Sequence, residues 1–349
     1  MADSIGWGLI GASTIAREWV IGAIRATPGN RVAALFSRSR ERGAAFAAAA
    51  GIDRSYDRLD AFLADPGIDA VYIASTNERH HPEVLACAAA GKHVLCEKPM
   101  ALSIDEALAM IAACEKAGTV LAINHHLRGA APHRAMRDIV ASGSLGGLVA
   151  VRMAHGGLLP AGLQTWRLKD PATGAGAVLD LTVHDADLAR FLLGEDLVEA
   201  AAMTRNSGLA AGAIEDTAHC VLRSRSGVLV QFQDVFNTPF NRTSVEIHGT
   251  AGSLFGSDCM TQTARGDVLL RDAAGERLLP MAHENLYVRV LRQFNDAVAG
   301  RGAPGCPGRD GLASLATALA VRDAARLGQT VAVDPRALAA ARASAMKLS

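Results

Sequence analysis

The sequence carries no excess of charge of either sign: lysine plus arginine and aspartate plus glutamate both number 35 in 349 residues. Nothing in that balance argues for nucleic acid, an anionic membrane surface or a polyionic partner, so the expected partner is a small molecule. Paired cysteines are also lacking. Cys87, Cys96, Cys114, Cys220, Cys259 and Cys306 stand apart without C-x-x-C spacing, mostly within apolar segments, as reduced buried thiols do, and that pattern suits the cytoplasm. Long apolar runs are missing too. The alanine-rich stretches 44–50 and 84–90 fall far short of the about 20 residues needed to cross a bilayer and read as close-packing helices. The opening segment, Met1 to Trp7, has no basic region followed by an apolar one, so no export signal is expected. Internal repeats and low-complexity linkers are absent from the sequence.

What is present is half hydrophobic and long enough for about two domains. Up to residue 123, short apolar runs alternate with helical patterns: 8–10, 32–36, 70–74, 94–96 and 120–123. Five buried strands with intervening helices predict a doubly wound, Rossmann-type parallel sheet over residues 1–123. Within it, Ser103 followed by Glu106 predicts a capping box for a helix over 104–117, closed by Gly118. After Pro132 the pattern changes. A helix over 133–142 precedes strands at 148–154, 218–222, 228–236, 244–248, 253–255 and 268–271, joined by turns such as Ser226-Gly227. Short turns between consecutive strands predict a mainly antiparallel open sheet, so residues 124–349 read as an α+β substrate domain. A long helix over 311–327 follows the Pro/Gly-rich loop 302–308. One face of the sheet could carry a partner subunit, which leaves homo-oligomerisation open.

The first strand runs into Gly11-Ala12-Ser13-Thr14-Ile15-Ala16. In a dinucleotide fingerprint the three key positions make the tight turn, admit the pyrophosphate and pack helix on strand; here Gly11, Ser13 and Ala16 hold them. Ser13 leaves less room than glycine but offers a hydroxyl to the phosphate. At the end of the second strand, where NAD-preferring sites carry an acid, the chain has Ser37-Arg38-Ser39-Arg40-Glu41-Arg42. Guanidinium groups bind phosphate by charge-assisted hydrogen bonds, so the expected cofactor is NADPH, held by Ser37 with Arg38 or Arg42. Ser75, Thr76 and Asn77 follow the next strand and are expected to line the cofactor cleft. His80 and His81 read as structural groups.

The reacting groups are then sought near the nicotinamide. Glu97-Lys98-Pro99 ends the run 94–96, in the crevice where ligands bind such sheets, and both Glu97 and Lys98 are expected at the cofactor. Proline at 99 holds Lys98 extended, and reduction of a carbonyl needs a cation or proton donor at its oxygen. A second constellation is Asp180-Leu181-Thr182-Val183-His184, after the glycine-rich approach 174–176. On a helix starting near Leu179, Asp180 and His184 share one face, where a carboxylate can orient an imidazole that donates a proton. Asn124, His125 and His126 enter the second domain, and Trp166-Arg167 lies in a loop; these are candidate hydrogen-bonding and stacking groups for a polyol. A zinc site from His125, His126 and His184 has no familiar ligand spacing, so no metal is expected.

With these pieces in place the chain resembles the Gfo/Idh/MocA family of nicotinamide-dependent sugar and cyclitol oxidoreductases. The resemblance covers essentially the whole length, through the Gly-rich turn, Glu97-Lys98-Pro99 and Asp180-x-x-x-His184. It implies NADPH-dependent reduction of a sugar ketone, with Lys98 and His184 catalytic, Asp180 orienting substrate or imidazole, and Ser37 and Arg42 matching the adenosine-phosphate contacts. Arg38 is an added basic residue beside them. In this family the Lys-Pro peptide is often cis. Rival readings are a dehydrogenase acting on another sugar or inositol and a nicotinamide-binding sensor without chemistry.

Overall fold

The computed structural model describes residues 4–345. Strand β1 (Ile5–Ile10) is buried along its whole length, as a strand covered on both faces must be. To one side lie β2 (Asn30–Phe36) and β3 (Ser55–Tyr56), to the other β4 (Ala70–Ile73), β5 (His93–Cys96) and β6 (Leu121–Ile123), in the order β3-β2-β1-β4-β5-β6. Every neighbouring pair is parallel. The strand order reverses between β1 and β4, and the crevice beyond the carboxyl ends at that point is where such sheets bind ligands. The five strands expected here are present; β3, two residues long, is too short to show periodicity. Ser103 Oγ accepts from Glu106 N at 3.2 Å, and Gly118 closes the helix Ile104–Ala117 at φ +68°.

The chain divides into two compact units, the first running up to His125 and taking in Tyr287–Gly311, the second being His126–Leu286 with the chain from Leu312 onward. The contiguous division 1–123 and 124–349 therefore differs from the observed one. The reason is a helix, Leu286–Val298, whose Tyr287, Val290, Leu291 and Phe294 recur at helical spacing and join the core around Trp7 and Leu9. The Phe294 ring lies 5.0 Å from the Trp7 ring, and the Trp7 indole donates to Asn30 Oδ1. Burying each such aliphatic or phenyl side chain stabilises by about 1.5–3 kcal/mol. The return continues to β6, where Ile123 N donates to Cys306 O at 2.9 Å.

The second unit is built on nine strands: β7 (Leu148–Gly156), β8 (Leu197–Arg205), β9 (Thr217–Ser224), β10 (Leu229–Val235), β11 (Ser244–Gly249), β12 (Gly252–Ser257), β13 (Asp267–Asp272), β14 (Gly275–Leu278) and β15 (Val331–Ala332). Their order is β14-β13-β12-β11-β7-β10-β9-β8-β15. β7 and β10 run parallel and the other neighbours antiparallel, so the mainly antiparallel sheet read from the sequence is present. The parallel pair sets Asp234 beside His155. β8 was not legible as a strand because its centre, Glu-Ala-Ala-Ala-Met, favours a helix; pairing with β9 overrides that preference. β14 is exposed throughout and shows no apolar alternation. All six cysteines are buried free thiols. No helix among the described residues is long and apolar enough to cross a membrane.

Candidate active site

At the carboxyl end of β1 the chain turns at Gly11, with φ +101°, and a Cβ there would sit 2.8 Å from Ala74 O. Only glycine fits, and the missing side chain leaves backbone open to a pyrophosphate. Ser13 Oγ accepts from Ala16 N at 3.3 Å, capping the helix that begins at Thr14, while its own proton remains available to a phosphate. β2 ends at Ser37, which is 3 % exposed and whose hydroxyl finds no partner. A buried hydroxyl without a partner costs stability unless a ligand completes it. Ser39 caps the next helix through Arg42 N, and the exposed guanidinium groups of Arg38 and Arg42 make no ion pair among the described residues. No acid holds the ribose position. The end of β2 thus fits a phosphorylated ribose, while Gly11 and Ser13 fit the pyrophosphate.

Beyond β4, Ser75 Oγ donates to Glu83 Oε2 at 2.6 Å and Thr76 Oγ1 to Glu78 Oε1 at 2.5 Å, so both hydroxyl protons are directed to the helix Asn77–Ala89. Asn77 is buried at its first residue. His80, fully buried, binds Pro99 O through Nδ1 at 2.8 Å and faces Ser75 O through Nε2 at 3.3 Å. Burial lowers its pKa, so it stays neutral with one ring proton, which goes to the shorter contact. His80 therefore ties the turn after β4 to the turn after β5, a structural role.

The β5 turn contains Glu97, Lys98 and a cis Lys98-Pro99 peptide. Tyr72 Oη donates to Glu97 Oε1 at 2.5 Å and Asn124 Nδ2 to the same oxygen at 2.6 Å. Desolvation raises the Glu97 pKa, against the pull of Tyr72, Asn124 and Lys98. Its carboxylate is thus an anchor from β4 and β6 that fixes the backbone presenting Lys98. Sequence reading assigned Glu97 to the cofactor and Asn124 to the substrate; the structure turns their side chains to each other. His125, next to them, is 2 % exposed.

In the second unit the predicted helix spans residues 177–193, with a wide π-turn at Val178–Thr182. Its entry needs Gly176, at φ +112°, because a Cβ there would lie 2.2 Å from Glu215 Oε1, which accepts from Val178 N. Asp180 pairs with Arg167 at 3.7 Å, and the Arg167 guanidinium lies 4.5 Å over the Trp166 ring. Stacking on indole and facing a carboxylate fixes a long cation. His184, 6 % exposed, meets His126 edge to face at 5.1 Å and His155 at 6.0 Å. The structure thus gathers Trp166, Arg167 and Asp180, and separately His126 and His184, on one helix and its neighbours. Arg128 grips Asp187 with two bonds of 2.7 Å, and Ser314 adds a third, locking that helix.

Two residues near His184, His155 and Asp234, escaped sequence reading, and Asp185 beside it drew no role. His155 Nδ1 binds Asp185 Oδ1 at 2.7 Å, and Asp234 takes a 2.5 Å bond from Thr182 Oγ1. Their separation in sequence leaves no local motif; an acid on a buried strand face, Asp234 between Phe232 and Val235, was the available signal.

Two family models match: an oxidoreductase family with an NAD-binding Rossmann fold over residues 5–125 and a GFO/IDH/MocA C-terminal domain over residues 133–255. A 1,5-anhydro-D-fructose reductase of Ensifer adhaerens is 50 % identical over 94 % of this chain and 98 % of its own. An inositol 2-dehydrogenase of Saccharopolyspora erythraea is 32 % identical over 94 % and 95 %. Among solved structures, an aldose-aldose oxidoreductase of Caulobacter crescentus in complex with glycerol superposes with a TM-score of 0.86 at 28 % identity, covering 94 % of this chain and 99 % of that one. Near-complete coverage at these identities, on a Rossmann sheet followed by a mainly antiparallel one, makes this chain an oxidoreductase of the GFO/IDH/MocA family.

Proposed function

We propose that this oxidoreductase uses NADPH to reduce the C2 ketone of 1,5-anhydro-D-fructose, giving 1,5-anhydro-D-mannitol. The half-identity to the Ensifer adhaerens reductase over nearly the whole of both chains carries the substrate. The orphaned Ser37 hydroxyl beside Arg38 and Arg42, with no acid in its place, supports the 2′-phosphate. The cofactor supplies hydride to the ketone carbon. Lys98 holds positive charge for the oxygen that becomes an alkoxide, and His184 gives that oxygen its proton. Asp180, paired with Arg167 beside Trp166, orients the sugar hydroxyls. His126 borders the same imidazole.

Purified protein mixed with NADPH and 1,5-anhydro-D-fructose is expected to consume reduced nicotinamide absorbance, with anhydromannitol as product. Reduction of NADP by sugar alcohols or inositol, without ketone reduction, would select a dehydrogenase instead. Tight NADPH binding with no turnover on any carbonyl would select a sensor.

Cofactor choice has its own test. Ser37→Asp places a carboxylate where the phosphate would lie and suits a ribose hydroxyl. Its preference for NADPH over NADH, read as the ratio of kcat/KM, is expected to fall by about 100-fold, the effect of some 2.7 kcal/mol of repulsion and lost hydrogen bonding. An unchanged ratio would place the phosphate elsewhere.

A further inference from the structure

His155 and Asp234 are register partners on β7 and β10, so their side chains rise from one sheet face toward the helix of residues 177–193. That helix supplies Asp185, fully buried, and the next-door His184. Asp185 Oδ1 binds His155, and Asp234 Oδ2 takes the Thr182 hydroxyl, which leaves Asp185 Oδ2 and Asp234 Oδ1 as buried oxygens with no other partner. One oxygen of each acid and a ring nitrogen of His155 lie within 4.8 Å of one another. Two carboxylates cannot both ionise in such a place, and one shared proton satisfies both oxygens.

We propose that His155 is a positioning residue for His184: the Asp185–Asp234 pair, holding one proton and one negative charge, fixes the Nδ1–H tautomer of His155 and favours the protonated imidazole of His184. This rests on the reading of His184 as the proton donor in ketone reduction. Burial raises the pKa of both acids, which disfavours two adjacent charges at neutral pH. The other titratable groups around the cluster are His126, Cys220 from β9, Cys259, whose thiol burial holds neutral, His133 and the Arg167–Asp180 pair. Burial lowers the His133 pKa to about 4 and raises that of Cys220, so both are neutral. The carboxyl pair is thus the buried anion behind the two imidazoles. During turnover His184 gives its proton to the alkoxide oxygen and regains one from solvent, and the pair's proton stays in place.

The test compares two isosteres. Asp185→Asn keeps an acceptor for His155 but takes the charge off the carboxyl that faces it and leaves it on Asp234; kcat for ketone reduction is expected to fall about 10–100-fold with KM nearly constant. The basic limb of its kcat–pH profile, which reports the acid that must stay protonated, is expected to move down by about one pH unit. Asp234→Asn still donates to Asp185 and leaves the charge, so its limb stays in place and its kcat falls much less. A folded Asp185→Asn with the wild-type limb overturns the proposal, whatever its kcat. If that variant does not fold, nitrogen-15 spectra of histidine-labelled wild type decide: His155 protonated on Nδ1 supports the clamp, and the opposite tautomer overturns it. The three side chains also lie close enough to hold a cation, so a stoichiometric divalent ion in the purified protein would overturn the shared proton. Wild type that binds NADPH but reduces no ketone defeats the functional reading instead, and the spectra still judge the clamp.

Discussion

Lys98→Met is expected to lower kcat for ketone reduction by about 100–1,000-fold while the dissociation constant for NADPH changes little. The ketone oxygen gains a full negative charge as hydride arrives, and a methionine of similar length leaves that charge without a cation. In the ground state the carbonyl is only a dipole, so the loss falls on turnover more than on binding. The surrounding structure is expected to survive the change. Glu97 anchors the turn through Tyr72 and Asn124, His80 ties it to the turn after β4, and none of these contacts passes through the Lys98 ammonium. Fluorescence titration with NADPH and single-turnover reduction separate the two effects. Equal loss of binding and turnover would make Lys98 a cofactor anchor and move the search for the cation to Arg167.

What the sequence made legible follows the range of the forces involved. The six-stranded sheet could be read because each strand is a buried apolar run with its own helix behind it, a signal contained within about 30 residues. Gly11, Lys98, Asp180 and His184 stood out because each sits in a short motif whose chemistry needs those residue types at that spacing. The rest depends on distant pairings. The helix Leu286–Val298 belongs to the first unit because four of its side chains complete the core around Trp7, 280 residues or more away. β8 is a strand because β9 lies beside it, against the helical preference of its alanines. His155 and Asp234 meet only because β7 and β10 are parallel neighbours. Glu97 is read from the sequence at the cofactor; that its carboxylate also completes Tyr72 and Asn124 is a distant pairing that no local motif shows.

His184→Asn is expected to lower kcat by about 100–10,000-fold, the usual range for a lost general acid, and to abolish the basic limb of the pH profile. Asparagine keeps a hydrogen-bond donor in the same helix, so substrate affinity should hold, but it has no proton to give between pH 5 and 9. Water then protonates the alkoxide, and the residual rate should become independent of pH across that range. In the proposed mechanism Lys98 and His184 serve the same oxygen, one by charge and one by proton transfer. Once either is gone the other has less to stabilise, because without the cation little alkoxide forms and without the proton donor the alkoxide returns its hydride. The double variant Lys98→Met/His184→Asn is therefore expected to be far less impaired than the product of the two single losses. Fully multiplicative losses would mean that the two residues serve separate steps, and His184 would then be sought in sugar binding or product release, with its effect appearing in KM.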